Sequence, residues 1–177
     1  TRIAKNMTGR DANKMAYVLL ADPALRLKYP THYQVKTTTQ IDTLHALSVQ
    51  TIKGFIETED HDTATWFNGI VDITIFDKMQ EITTRDNDES TESLKVKITY
   101  NDYPNTLFSG QTNVVDGLFE FTFMVPKDIR YNYGNGRIVY YAYDTEAKEE
   151  GIGHFEDFVI GGSSSVEIQD TIGPDIY

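Results

Sequence analysis

From His32 onward the chain alternates between apolar and polar positions. Val71, Ile73 and Ile75 are separated by Asp72 and Thr74, and Phe119, Phe121, Phe123 and Val125 are spaced the same way around Glu120 and Thr122. Successive strand side chains point to opposite faces, so each run predicts a strand with one apolar and one solvated face. Residues 95–100 read likewise, with Val96, Ile98 and Tyr100 predicted inward and Lys95, Lys97 and Thr99 outward. Further strands are predicted over 33–39, 46–57, 137–143 and 155–160, which are rich in β-branched and aromatic residues. Asn68-Gly69 reads as a break within a long strand, Asp116-Gly117 as a tight hairpin and Gly134-Asn135-Gly136 as a looser turn. Roughly seven strands with turns between them, and little helical periodicity, predict an all-β domain, namely an immunoglobulin-like antiparallel β-sandwich. Barrel closure is the competing arrangement.

The first thirty residues differ, and predict a short helical and strand extension. Asp11 can cap a first helical turn at Ala12-Asn13-Lys14-Met15, and Tyr17-Val18-Leu19-Leu20 has the length of a buried strand before Asp22-Pro23 breaks it. A piece this short cannot bury its own apolar side chains. Tyr17, Leu19, Leu25 and Leu27 are therefore candidate interdomain docking residues. Six basic residues (Arg2, Lys5, Arg10, Lys14, Arg26, Lys28) against Asp11 and Asp22 give this piece +4, against a chain total of 16 − 27 = −11. That shift predicts two units joined near Pro30. Gly161-Gly162-Ser163-Ser164-Ser165 has the composition of a linker, and Val166 to Asp170 alternates like a first strand. The chain thus reads as part of a longer protein, with 1–30 the tail of a preceding domain and a connector. The sandwich follows over 31–162, and 163–177 is the linker and start of a following domain.

The acidic balance disfavours nucleic acid and anionic lipid as partners. No apolar run approaches the roughly 20 residues that cross a bilayer, so the segment is not read as membrane-inserted. With no cysteine in the chain, disulfides, thiolate zinc sites and a cysteine nucleophile are excluded within it. His32, His45, His61 and His154 lack the spacing of a helical zinc site. Asp86, Asp88 and Glu89, around Asn87, place oxygens as calcium would need, without the central glycine and distal glutamate of an EF-hand. They read more readily as a solvated loop, as do Glu57, Glu59, Asp60 and Asp62. Trp66, Tyr141 and Tyr143 are a candidate ligand platform, because ring faces stack on sugars, although alternation sends Tyr140 to the opposite side from Tyr141 and Tyr143, so that at least one of the two sets belongs to the core. No serine-nucleophile, phosphate-cradling or dinucleotide motif is present, and no cofactor is called for.

Two stretches carry a family resemblance. Tyr17-Val18-Leu19-Leu20-Ala21-Asp22-Pro23-Ala24-Leu25-Arg26-Leu27, and Val125-Pro126-Lys127-Asp128-Ile129 with Asn132-Tyr133-Gly134-Asn135-Gly136-Arg137-Ile138, resemble the carboxy-terminal portion of PorU-like, gingipain-family cysteine peptidases. These are the sortases of the type IX secretion system of Bacteroidetes. In that family a leucine-rich strand ending in a Gly-Asp-Pro-Ala-Leu-Arg-like motif closes the caspase-like catalytic region, and Ala21 here stands in place of the glycine. The resemblance implies that the catalytic Cys and His lie upstream, so this fragment is not itself an enzyme. It implies a parent at the outer-membrane cell surface that removes sorting signals from exported cargo and attaches the cargo to lipopolysaccharide. The sandwich would brace the peptidase or contact cargo, its partners being adjacent domains, secreted cargo or other secretion-machinery proteins. A glycan-binding surface module is the alternative, and an independent hydrolase a more distant third.

Overall fold

The structure, a computed structural model, describes residues 32–85, 97–130 and 132–164. Among the described residues twelve strands follow one another. They are β1 (Tyr33–Thr37), β2 (Thr43–Ala46), β3 (Val49–Glu57), β4 (Gly69–Phe76), β5 (Gln80–Thr83), β6 (Thr99–Asp102), β7 (Thr106–Val115), β8 (Leu118–Met124), β9 (Gly134–Asn135), β10 (Arg137–Asp144), β11 (Glu149–Phe155) and β12 (Val159–Ser163). The described residues contain no helix.

The all-β expectation is met, but the ladders form a closed ring in place of two open sheets. Seven strands pair in the order β1-β11-β10-β4-β7-β8-β3 and back to β1. Two seams close this ring. β7 pairs with β4 along almost its whole length and reaches β8 only at Val114↔Phe119 and Val115↔Leu118. β1 pairs antiparallel with β3 from Gln34↔Glu57 to Thr37↔Gly54, and parallel with β11 at Tyr33↔Gly151 and Gln34↔Ile152. Alternation is common to sandwiches and barrels; what separates them is whether the edge strands find partners. The purely antiparallel, immunoglobulin-like sandwich is corrected on that point by β1.

The inward rows fill the ring as their spacing predicts. Val71, Ile73 and Ile75 of β4, Phe119, Phe121 and Phe123 of β8, Ile52 and Ile56 of β3, and Ile138, Tyr140 and Ala142 of β10 are all buried. The Tyr140 hydroxyl is 2.7 Å from Thr37 Oγ1, joining β10 to β1 across the core. Burial pushes its pKa up to about 12, against the smaller lowering effect of that hydrogen bond. A second sheet, β2-β12-β9, adds Leu44 and Ile160 to the same core.

Several boundaries differ from those expected. β4 begins at Gly69, so Asn68 lies in the preceding loop, where its Oδ1 accepts from the Asp116 amide at the β7–β8 hairpin. The span 155–160 is not one strand: β11 ends at Phe155, β12 begins at Val159, and Phe155 and Phe158 stack across the bend. Gly134 and Asn135 pair with β12 as β9 instead of forming only a turn. Gly161, Gly162 and Ser163, with the composition of a linker, are the end of β12.

Residues 97–100 depart most. β6 starts at Thr99 and pairs only with β5, and Ile98 and Tyr100 are exposed. The alternation there records an extended ribbon with two unlike faces, not a strand whose apolar face reaches the core. The ribbon is anchored at its root by a buried ion pair. Lys78 Nζ donates to Asp77 Oδ1 and to the Arg130 carbonyl, both at 2.8 Å.

β1 fits between its neighbours because each presents a glycine. A Cβ at Gly153 of β11 would lie 2.0 Å from the Val35 carbonyl oxygen, and one at Gly54 of β3 would lie 2.3 Å from the Lys36 carbonyl oxygen. Backbone atoms on a paired strand cannot move aside as a side chain can. At Gly151 the nearest atom, Tyr33 Cβ, is 3.2 Å away. Gly153→Ala should therefore cost about 3 kcal/mol in urea unfolding and Gly151→Ala well under half of that. Equal costs would remove the close-approach account of this seam.

Asp144, at the end of β10, holds the β10–β11 turn. Its Oδ1 accepts from the Glu146 and Ala147 amides at 2.9 and 3.0 Å, and Oδ2 from the Asn68 amide at 3.2 Å. The Ala147 bond, with those from Asn68 and Glu146, holds the carboxyl below its ordinary value of 3.8 against the opposing effect of burial. A depressed folded-state pKa gives stability that is complete above 3.8 and lost as pH falls below it. Asp144→Ala should cost about 2 kcal/mol at neutral pH and should flatten the acid limb of stability against pH. An unchanged acid limb would show that the carboxylate does not act in this way.

Candidate functional site: the aromatic surface around Tyr33

Tyr33 opens β1 at the β11 seam, and its ring packs edge-on against Phe67 at 5.8 Å. Its pKa is raised, first by burial and then by hydrogen bonding to the Glu149 carboxylate, with a hydrogen bond from Trp66 acting the other way. Tyr33, Glu149 and Trp66 thus converge at one end of the barrel. Glu149 Oε2 is buried there without a hydrogen-bond partner, a costly condition for a carboxylate oxygen.

Three grooves meet around this point. The largest, open and of about 690 Å³, runs along the outside of β1, β10 and β11 and is lined by Tyr33, Gln34, Arg137, Tyr141, Ile152 and His154 among others. A second, of about 450 Å³, lies between Tyr141, Tyr143, Asp144 and Glu149 at the β10–β11 turn. A third, of about 360 Å³, holds His32, Tyr33, Glu59, Asp60, Asp62 and Trp66. Register explains the first two. Tyr141 stands opposite Ile152, Val139 opposite His154 and Tyr143 opposite Glu150, so alternate β10 residues share one outward face with β11.

The candidate platform residues are placed as follows. Tyr140 is 1% exposed and Tyr141 39%, so alternation sorts them to opposite faces. Tyr141 and Tyr143 neighbour each other, with ring centroids 5.9 Å apart and planes tilted by 31°. Trp66, 57% exposed, stands in the adjoining groove on the other side of Tyr33. Asp86, Asp88 and Glu89, and Tyr17, Leu19, Leu25 and Leu27, lie outside the described residues. Among the described residues no three His, Asp or Glu side chains gather as a metal would need. In the acidic loop, Glu57 faces Lys36 at 3.4 Å and His61 at 3.5 Å, and Glu59 faces His32 at 2.7 Å, so these carboxylates are engaged by separate side chains. No described helix is long and apolar enough to cross a membrane.

Sequence reasoning passed over Glu149, Asp144 and the Asp77–Lys78 pair. Asp144 before a polar turn carries the signal of an aspartate bonding its own downstream amides. Nothing in the spacing of Glu149 or Lys78 points to burial. Arg137 is likewise engaged, by the Glu156 carboxylate and by the Tyr103 ring 4.3 Å from its guanidinium carbon.

No protein-family model matches the chain, and no curated protein matches it. Among solved structures, dimeric latent PorU from Porphyromonas gingivalis is similar at 30% identity over 85% of this chain, with a TM-score of 0.64. The match takes in 14% of that protein. Spo0M, a sporulation control protein from Bacillus subtilis, aligns at 13% identity over 75% of this chain and 50% of its own, with a TM-score of 0.43. The chain therefore matches one domain-sized part of PorU in both sequence and fold, and spans about one seventh of that protein's length.

Proposed function

We propose that this chain is a non-catalytic accessory β-domain of a PorU-like sortase of the type IX secretion system, placed at the cell surface, where it braces the peptidase region or contacts cargo. The observation that carries this reading is the 30% identity to a domain-sized part of PorU over 85% of the chain. The outward apolar surface of β10 and β11 gives the role a physical means. Val139, Tyr141 and Ile152 are each more than a third exposed on one face, which suits a surface that another element covers.

A glycan-binding module is the second reading, favoured by Tyr141 and Tyr143 lying side by side with Trp66 nearby. The 31° between the two tyrosine planes makes them a poor flat platform for a pyranose, so the docking role is preferred. The two part experimentally in the full-length parent protein carrying Tyr141→Asp with Ile152→Asp. A bracing role predicts lower thermal stability and slower cleavage of a small peptide substrate. A cargo-contact role predicts unchanged peptide cleavage with impaired removal of the cargo sorting signal. If both activities and stability stay at the wild-type level, the accessory role on this face is wrong. A change in Trp66 fluorescence on titration with surface polysaccharide would instead favour the glycan reading.

A further inference from the structure

β7 and β8 meet only at their hairpin end, and beyond it the two strands part. Asp116 and Gly117 both have positive φ, 51° and 75°. The turn is therefore type I′, in which the flanking residues, Val115 and Leu118, exchange both backbone hydrogen bonds. Strand alternation then directs the N–H and C=O of Asn113, Gln111 and Ser109 to the side that Val115 uses, and those of Thr112, Gly110 and Phe108 toward β4. A continued ladder would bring the Asn113 N–H to the Glu120 carbonyl. That carbonyl accepts instead from Thr112 Oγ1 at 3.0 Å, and among the described residues β7 before Val114 pairs with β4 alone. Only the Phe108 ring spans the gap from inside, 5.9 Å from the Phe121 ring and 5.2 Å from that of Phe123.

We infer that this open edge of β7 takes an extended segment of a separate polypeptide as an added strand. The segment bonds to the backbone of Ser109, Gln111 and Asn113, with uncharged side chains at its centre and basic ones at its ends. The inference stands without the sortase reading and concerns another part of the molecule, since β4 lies between β7 and the β10–β11 surface.

The edge lacks the devices that ordinarily blunt one, namely charge, proline or a bulge. From Phe108 to Val114 it has no charged residue and no proline, and its register with β4 is unbroken. The β5–β6 ribbon, whose outer edges are also unpaired among the described residues, is blunted by Glu81 and Asp102. Ser109, Gln111 and Asn113 are exposed, so a partner's backbone can approach them. A row of alternating donors and acceptors is matched in full only by another extended backbone.

Charge selects the partner. Asp116 stands at one end of β7 and Asp102 four residues before the other, both exposed, and the whole chain carries −11. Two copies of β7 paired antiparallel about Gln111 would bring the Asp116 end of each toward the Asp102 end of the other. Like charges so placed disfavour self-pairing, whereas a strand with a basic residue at each end meets an aspartate at both.

Amide exchange followed by NMR on the full 177-residue chain tests this, the probe being a synthetic peptide of alternating threonine and valine with a lysine at each end. In the chain alone, the Ser109, Gln111 and Asn113 amides should exchange at least about tenfold faster than those of Gly110 and Thr112, which face β4. About 1 mM peptide should slow the first three about threefold and leave the β4 amides unchanged, and glutamate in place of its lysines should remove the effect. Gln111→Pro, which deletes a donor on the open side and none on the β4 side, should abolish the slowing. Should Gln111→Pro unfold the barrel, Ser109→Lys with Asn113→Lys, confined to exposed side chains, should abolish it too. Equal protection of all five amides in the chain alone would show the edge already paired and overturn the inference. So would no slowing by the lysine peptide, equal slowing by the glutamate peptide, or slowing that survives in both variants. Protection that grows with protein concentration in the absence of peptide would assign the edge to a second copy and refute the separate partner.

Discussion

β1 lies so close to both neighbours that neither has room for a side chain at the point of contact. Gly54 of β3 and Gly153 of β11 face the Lys36 and Val35 carbonyls from opposite sides, and this double approach turns two layers of alternating strands into a ring. Without it β1 would be an edge strand on one layer, with the β11 edge open beside it. Open edges are sites of unwanted pairing, so the two glycines give closure at the cost of two core-facing side chains. The Tyr140 hydroxyl bonded to Thr37 adds a polar tie across the interior at the same strand.

The position of β1 also creates the surface to which a function is attached here. Its first residue, Tyr33, is held between Phe67 inside and the Trp66 and Glu149 groups outside. The outward row of β10 continues from there along Tyr141 and Tyr143, whose backbone is fixed by seven consecutive pairings with β11 from Ile138↔Phe155 to Asp144↔Glu149. A rigid ladder beneath and an aromatic, acid-rimmed exterior above are what a docking face needs. Nearby, Lys36 pairs with Glu57, and Arg137 is held by Glu156 and the Tyr103 ring.

Much of this fold was legible in the sequence because alternation reports directly on burial. The rows at Val71, Ile73 and Ile75 and at Phe119, Phe121 and Phe123 went where their spacing sent them, and Tyr140 parted from Tyr141 for the same reason. β11 was missed because Gly151 and Gly153 remove the β-branched residues that mark a strand; of the two, Gly153 is the one the seam requires. β7 was missed because its outward positions, Ser109, Gln111 and Asn113, and the small Gly110 dilute the apolar row. Ring closure has no local signature, since it depends on pairing between β1 and a strand more than a hundred residues away. The ribbon of β5 and β6 shows the converse failure: Ile98 and Tyr100 alternate as core residues do, yet no other strand pairs with that ribbon. At the site, the aromatic candidates could be named from composition, but the burial of the Glu149 oxygen beside them could not.

Native-state hydrogen exchange along β1, followed as a function of denaturant, tests the closure most directly. If β1 is the strand that makes the ring, its ladder amides open only with global unfolding, and their exchange free energies merge with those of β4 and β10. Exchange of the β1 amides through a separate, low-energy opening that leaves β4 and β10 protected would contradict the account, and would make β1 an ornament on a barrel that closes without it.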